Sequence, residues 1–199
     1  LASDFAFDVW CRQPQLLAPA GLERLRSGND AGSRIDALKL PADEAASMVA
    51  LRRFRHAEAL RLVFRDVNGL DELPETLSAT SVLYEGLLDV ALAWSERALA
   101  ARYGRSRTAD GALQRLLVIG FGKLGGSELN FSSDIDLVLA YPHAGQTDGA
   151  RPLDNSEYFI RLGRQLVRLL NEPTMDGICA RVDLRLRPFG NAGRLALSF

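Results

Sequence analysis

The fold is decided by residues 116–141, which read LLVIGFGKLGGSELNFSSDIDLVLAY. Two apolar runs, Leu113–Ile119 and Ile135–Tyr141, enclose a segment that is rich in glycine and serine. Short apolar runs that end at glycine or proline are typical of buried strands. We therefore predict two strands with a tight, polar connection between them.

The connection contains Gly120, Gly122 and Gly125, which match the G-x-G-x-x-G fingerprint of dinucleotide-binding folds. That fingerprint requires a crossover helix before the next parallel strand, in a unit of about 30 residues. The residues between Gly126 and Asp134 are too few for such a helix. The P-loop pattern fails as well, because Lys123 stands at the wrong spacing. We conclude that neither motif explains the segment.

Asp134 and Asp136 are the chemically informative residues of this segment. On a strand, residues i and i+2 face the same way, so both carboxylates project together. Two carboxylates about 6–7 Å apart are costly unless a cation lies between them, and Mg²⁺ or Mn²⁺ with oxygen ligands fills that role. Asp183, flanked by apolar residues on another predicted strand, provides the third acid that a two-metal phosphoryl-transfer site usually needs. We predict that these three aspartates are catalytic residues and metal ligands.

A purely structural role is the alternative for each of these acids taken alone. Asp134 could cap the preceding turn, and Asp183 could pair with Arg185, which shares its strand face. Three acids on strand positions with apolar neighbours, after a Gly-Gly turn, favour the metal site.

The rest of the chain predicts an α+β protein in which a helical region, 1–110, precedes a mixed-sheet unit, 111–199. Proline at helix starts, glycine at helix ends and apolar residues at helical spacing support the two long helices. Asp154-Asn-Ser-Glu157 resembles a capping box at the start of another helix. We predict helices at 3–10, 21–26, 42–67, 74–103 and 154–170, and strands at 113–119, 135–141, 178–187 and 194–199.

Composition narrows the class of protein. The 199 residues carry 24 basic and 25 acidic side chains, which argues against a broad basic footprint for nucleic acid. No apolar run is long enough to span a membrane, and because the first residues lack a basic segment followed by an apolar one, we expect no signal peptide. Cys11 and Cys179 cannot supply a zinc quartet. We expect a cytoplasmic protein that binds neither nucleic acid nor membrane. The start without Met and the apolar alternation at 194–199 predict that the chain is a piece of a longer protein.

Two blocks, 120–137 and 182–193, carry a family resemblance. A Gly-Gly pair, a short spacer, Asp-hydrophobic-Asp and a later lone Asp resemble the pattern of the DNA polymerase β-like nucleotidyltransferase superfamily. More narrowly, GFGKLGGSELNFSSDIDL and VDLRLRPFGNAG resemble the bifunctional glutamine synthetase adenylyltransferase/adenylyl-removing enzyme family. Together with LDNSE at 153–157 they cover most of residues 113–199, whereas the helical half is similar only in general character. The resemblance implies a polymerase β-like nucleotidyltransferase core.

That family carries two related nucleotidyltransferase domains, and the motifs ELN, SSDID and RLRPFG look more like the N-terminal, adenylyl-removing copy. The resemblance implies that inorganic phosphate attacks the AMP phosphorus of an adenylylated tyrosine on glutamine synthetase, which releases the adenine nucleotide ADP and the free tyrosine. It further implies Mg²⁺ or Mn²⁺ as cofactor and a PII-type nitrogen signalling protein as partner.

Several residues suit phosphate binding. Glycines let the backbone approach an anion, and a short helix beginning at the Gly-Gly pair would present N–H groups to it. Serine hydroxyls donate hydrogen bonds, and arginine clamps phosphate with two of them. The candidates are Lys123, Gly125, Gly126, Ser127, Ser133, Arg185 and Arg187.

Two functional alternatives stay open. The chain could be the adenylylating copy, which transfers AMP from ATP to a glutamine synthetase tyrosine. It could instead be a non-catalytic interaction module that contacts the PII-type protein through its helices. Two structural readings also stay open, since the arginines could only neutralise acids and Lys123 could be a surface residue. We predict that His56 and His143 are not catalytic, and that Trp94 and Cys179 are core residues.

Overall fold

The computed structural model describes residues 3–28 and 31–198. Its helices are α1 (Asp4–Arg12), α2 (Pro19–Arg26), α3 (Ala31–Asp36), α4 (Glu44–Val67), α5 (Leu73–Tyr103), α6 (Gly122–Gly125) and α7 (Asn155–Asn171). Its strands are β1 (Ser106–Thr108), β2 (Leu117–Phe121), β3 (Ile135–Tyr141), β4 (Gly145–Thr147), β5 (Val182–Asp183) and β6 (Ala196–Ser198). The predicted α+β class is confirmed. No helix of this part of the chain is long and apolar enough to cross a membrane.

The two long helices begin and end at residues whose chemistry favours a boundary. The Asp43 carboxylate accepts a hydrogen bond from the Ala46 backbone N–H at 2.8 Å and so caps α4. Glu72 and Glu75 form a reciprocal capping box at the start of α5. Gly104, at φ 80°, ends α5 in a conformation that glycine adopts without steric cost. Both predicted helices are therefore confirmed, with boundaries close to those expected.

One mixed sheet is built around β3. The strand β2 pairs antiparallel with β3 along its whole length, from Leu117 to Phe121. On the other edge of β3, β5 pairs in parallel with its first two residues and β6 in parallel with its last three. A separate antiparallel ribbon joins β1 to β4. The sheet thus combines both pairing modes, as the sequence predicts.

The helices cover one face of this sheet. Leu83 and Leu87 of α5, Leu166 of α7 and Ile135 and Leu137 of β3 share one core and are at most 1% exposed. Because side chains alternate along a strand, burial of these two β3 residues turns the residues between and after them to the other, outer face of the sheet. The core therefore draws on both halves of the chain, and their division at 110/111 stays a prediction.

Arg52 of α4 ties the helical region to the end of α7. Its guanidinium is fully buried and donates to the carbonyl oxygens of Leu169 at 3.0 Å, Gly177 at 2.7 Å and Glu172. Leu169 and Glu172 stand in the last turn and at the C-cap of α7, where carbonyls have no partner within the helix. Gly177 lies in the segment that leads to β5. One side chain thus satisfies the carbonyls of two separate elements.

Several predicted strands differ in their boundaries from the strands that the structure shows. The strand predicted at 113–119 begins only at Leu117, and the strand predicted at 178–187 is paired only at Val182–Asp183. After β5 the backbone turns, because the Arg185 N–H donates to the Asp183 carboxylate at 2.8 Å. The strand β1, at Ser106–Thr108, was not among the predicted strands.

The predictions for the last helix, the last strand and two core residues are confirmed in part. The helix predicted at 154–170 is present as α7, but the Asp154 side chain makes no capping bond. Trp94 and Cys179 are buried, as predicted. Of the strand predicted at 194–199, β6 covers Ala196–Ser198, and Phe199 lies outside the described residues.

Candidate functional site

The three predicted acids share one end of the outer face of the sheet, Asp134 and Asp136 at the start of β3 and Asp183 on β5. Asp136 is the register partner of Asp183 on the parallel strand β5. Partners in register on neighbouring strands present their side chains to the same face, and Asp134 shares that face because it stands two residues before Asp136. The predicted juxtaposition of the three carboxylates is therefore what the backbone register produces.

An exposed arginine binds each of the two outer acids. The Arg181 Nε donates to Asp134 Oδ1 at 2.5 Å, and the same guanidinium donates to the Ser132 carbonyl. The Arg185 Nε donates to Asp183 Oδ2 at 2.7 Å. Hydrogen bonds from the Arg185 side chain and backbone hold the pKa of Asp183 below its ordinary value. The Asp183–Arg185 pair that the sequence offered as an alternative is thus present.

Asp136 lies between these two pairs and makes no hydrogen bond or ion pair with the side chains that the structure describes. The Gly122 backbone lies next to this carboxylate, and a β-carbon at position 122 would come within 2.6 Å of Asp136 Oδ2. Gly122 also has φ 56°, a left-handed conformation that costs glycine little and other residues more. Only glycine therefore leaves the space beside this carboxylate open.

The donor set fits a hard divalent cation by type and by register. Mg²⁺ and Mn²⁺ favour carboxylate oxygens, and three carboxylates share this end of the outer face. Within residues 3–28 and 31–198, no group of three Asp, Glu, His or Cys side chains is arranged so that it could hold a metal ion. Asp134 and Asp183 are instead engaged by their arginines. A cation held by all three acids would therefore exchange with two guanidinium groups.

The glycine-rich segment folds as the single turn α6, and the prediction of a short helix that starts at Gly125–Gly126 is wrong. α6 starts at Gly122 and ends at Gly125, with Gly126 as its C-cap. A β-carbon at Gly125 would come within 2.6 Å of the Gly120 carbonyl oxygen, so this glycine permits close packing on β2. A β-carbon at Gly126 would meet nothing nearer than 3.6 Å, and Ser127 follows at φ 55°. Gly125 is therefore needed for packing against β2, and the predicted approach of Gly125 and Gly126 to an anion stays a prediction.

Lys123 and Ser133 meet in front of the acids. The Lys123 Nζ donates to Ser133 Oγ at 3.3 Å, and Ser133 Oγ donates to Asn130 Oδ1 at 2.7 Å. This chain of hydrogen bonds places an exposed ammonium group next to the turn that leads directly into Asp134. Two of the predicted phosphate-binding candidates are therefore neighbours in space.

Arg185 and Arg187 line the other side of the site. Together with Asp134 and Asp183 they border an open groove of about 430 Å³. Arg187 is held in place by the backbone, because its Nη1 donates to the Leu184 carbonyl at 2.7 Å. Arg185 is free of such backbone restraint on its guanidinium and binds Asp183 alone. The two predicted arginines thus differ in how readily they can turn to a ligand.

Three residues at the site were not among the predicted candidates. Phe121 is the register partner of Asp136 on β2, and Gly122 and Arg181 contact the acids directly. Gly122 and Phe121 stand in the GFG triplet that ends the first predicted strand, which is the signal that was available for them. Nothing comparable marks Arg181, since its partner depends on the pairing of β3 with β5.

Comparison with known proteins places the whole chain in one group. Residues 2–199 match the family model described as glutamate-ammonia ligase adenylyltransferase. Proteins named bifunctional glutamine synthetase adenylyltransferase/adenylyl-removing enzyme are 53% identical in Xanthomonas campestris pv. campestris (strain B100), 52% in Xanthomonas axonopodis pv. citri (strain 306) and 50% in Stenotrophomonas maltophilia (strain K279a). Each alignment covers 100% of this chain but only 20–21% of the relative. The chain spans about a fifth of the length of these curated relatives.

Proposed function

The chain belongs to the glutamate-ammonia ligase adenylyltransferase family, and on that premise we propose that it carries a site that removes AMP from adenylylated glutamine synthetase. Inorganic phosphate attacks the AMP phosphorus, the bond from phosphorus to the tyrosine oxygen breaks, and ADP and free tyrosine leave. The observation that carries the proposal is the register of Asp136 with Asp183, with Asp134 on the same face. This register sets three carboxylates on an open sheet face.

Asp134, Asp136 and Asp183 are the residues that would hold Mg²⁺ or Mn²⁺, which when bound neutralises the charge on the attacking and leaving oxygens. Gly122 keeps the space beside Asp136 free. The absence of a side chain there leaves room for the ligand on the open side of the carboxylate.

The positive groups around the acids suit the anionic reactants. Lys123 lies on the β2 side, and Arg185 and Arg187 lie on the β5 side of the three carboxylates. Arginine binds phosphate oxygens with two parallel hydrogen bonds, and a lysine ammonium group acts as a point charge. In our proposal these cations, with the hydroxyl groups of Ser127 and Ser133 and the backbone at Gly125 and Gly126, orient the incoming phosphate and the AMP group.

The choice of the adenylyl-removing reaction over the adenylylating one rests on the motifs ELN, SSDID and RLRPFG, which resemble the removing copy. The relatives named above carry both activities in their names, which is consistent with either. The proposal also includes adenylylated glutamine synthetase and a PII-type signalling protein as partners, and action in the cytoplasm.

The test measures phosphate-dependent ADP release from adenylylated glutamine synthetase, using the natural protein that contains these 199 residues. Asp136→Asn should abolish release, whereas Asp8→Asn, at an exposed position of α1, should leave it unchanged. If Asp136→Asn instead blocks ATP-dependent incorporation of AMP, the chain is the adenylylating copy. If it changes neither reaction, the proposed catalytic site is wrong.

A further inference from the structure

The acids border an aromatic side chain to which the reaction assigns no role. Phe121 ends β2 and is the register partner of Asp136, whose other partner is Asp183. One row across three adjacent strands therefore reads Phe121, Asp136, Asp183. Because partners in register share a face, the phenyl ring lies on the same outer face as the carboxylates.

The ring is open to solvent on this face. Phe121 is 42% exposed, and Ile119 and Leu117 continue the same side of β2 at 39% and 40%. Apolar side chains exposed side by side next to charged groups are typical of a binding surface. Of these three residues, only the one nearest the acids is aromatic.

The spacing of the row matches the shape of a nucleotide. Directly opposed residues of antiparallel strands have β-carbons about 4.5–5.5 Å apart, so the ring begins one strand away from the Asp136 carboxylate. In a nucleotide one ribose separates the α-phosphate from the base. A phosphate held at the acids can therefore bring its base over β2.

We propose that Phe121 is the surface on which the adenine ring of the nucleotide stacks, while β3 and β5 hold its phosphate end. This inference rests on the proposed function, because it takes the ligand to be an adenine nucleotide. A strand held by five register pairs presents the ring without further ordering. The exposed Phe189 lies in the turn that follows β5 and is the natural competitor for the base.

The experiment separates binding of the base from binding of phosphate. ADP and inorganic tripolyphosphate, each with Mg²⁺, are titrated into the 199-residue chain by calorimetry. Phe121→Ala should weaken ADP about 5- to 100-fold, the range for loss of one base–aromatic stack, and should leave tripolyphosphate within about twofold. Ile119→Ala, on the same face one position pair further along, should leave both unchanged.

A fluorescence measurement tests the same inference if Phe121→Ala fails to fold. Phe121→Trp should retain ADP binding, and its added indole emission should change with ADP but not with tripolyphosphate. The inference is overturned if Phe121→Ala weakens the binding of both probes alike or of neither. It is also overturned if Phe189→Ala weakens ADP binding in its place, or if the indole emission of Phe121→Trp does not change with ADP. A wild-type chain that binds neither probe would overturn the proposed function itself, and the inference with it.

Discussion

The helical region and the edge of the sheet both pair a carboxylate with arginine, but they do so in opposite environments. In the helical region Glu58 is fully buried and accepts hydrogen bonds from Arg24 at 2.5 Å and from Arg34 and Arg61 at 3.0 Å. Burial alone would raise the pKa of Glu58, yet hydrogen bonds from Arg24 and Arg61, with the charge of Arg34, hold it below its ordinary value.

At the edge of the sheet the arginines remain in water. The side chains of Arg181 and Arg185 are 56% and 74% exposed, and each binds one acid. An exposed ion pair contributes little to stability, whereas removal of one partner from a buried pair leaves an uncompensated charge. The same two residue types therefore stabilise the fold in one region and remain available for exchange with a ligand in the other.

The largest test of this difference is the loss of the buried carboxylate. Glu58→Gln leaves three guanidinium groups without their shared counter-charge, and the free energy of unfolding should fall by about 3–5 kcal/mol. Asp134→Asn, in the exposed pair, should change it by about 1 kcal/mol or less. Denaturant unfolding measures both, and equal losses would contradict the comparison.

The second test asks whether the free space beside Asp136, rather than charge, determines how well the sheet edge binds Mg²⁺. Gly122→Ala places a methyl group against Asp136 Oδ2 at a left-handed φ, so it should cost about 1–2 kcal/mol of folding free energy. It should also weaken Mg²⁺ binding about 10- to 100-fold, as changes that displace a metal ligand do. Gly126→Ala is the matched control, since its β-carbon has room. Equal effects on Mg²⁺ binding would show that Gly122 is not special.

A third test uses acid. Burial, with the charge of Arg55, lowers the pKa of His56 to about 4, so the folded protein keeps this imidazole neutral. The unfolded chain takes up the proton below about pH 6.5, so the contribution of His56 is complete above that pH and is lost as pH falls toward 4. With partial exposure discounted, about 1–2 kcal/mol of unfolding free energy should disappear across this range.

The check for this acid effect is the unfolding free energy at pH 7 and pH 4.5 in two variants. His56→Gln should flatten the pH dependence, whereas His143→Gln, at an exposed position beyond β3, should keep the wild-type curve. If the two variants behave alike, His56 is not the source of the acid sensitivity.

The smallest expected effect has the opposite sign. Arg181→Ala removes a guanidinium that competes for Asp134, so Mg²⁺ should bind about 5-fold more tightly, in line with the roughly 1 kcal/mol of an exposed pair. Arg164→Ala, on the exposed side of α7, serves as control. Weaker Mg²⁺ binding in Arg181→Ala, measured by calorimetry without nucleotide, would mean that Arg181 holds Asp134 in place rather than competing for it.

The parts of this molecule that the sequence predicts correctly are those decided by neighbours along the chain. The starts and ends of α4 and α5 follow from caps, and the shared face of Asp134 and Asp136 follows from strand alternation. The three acids are predicted as a set because two of them are two residues apart and the third has the same apolar flanks, and their role as a site stays a prediction.

The parts that the sequence did not predict depend on pairing between distant segments. Apolar alternation at 178–187 does not show where pairing stops, and it stops at Asp183 because the carboxylate of that residue binds the following backbone. The need for glycine at position 122 depends on the approach of Asp136 across the sheet. Glu58 and Arg61 follow the pattern of a solvated helix face, yet α2 and α3 bury them.

Arg52 has a practical consequence for any attempt to isolate the half of the chain that carries the three acids. A polypeptide that starts at residue 111 would lack this guanidinium, and the carbonyls of Leu169, Glu172 and Gly177 would lose their shared donor. These carbonyls lie just before β5, which carries Asp183. Such a truncation would therefore destabilise the segment that leads from α7 to Asp183. The boundary between the two halves is therefore a poor point for truncation. If a protease cuts the chain there, the two fragments should stay associated.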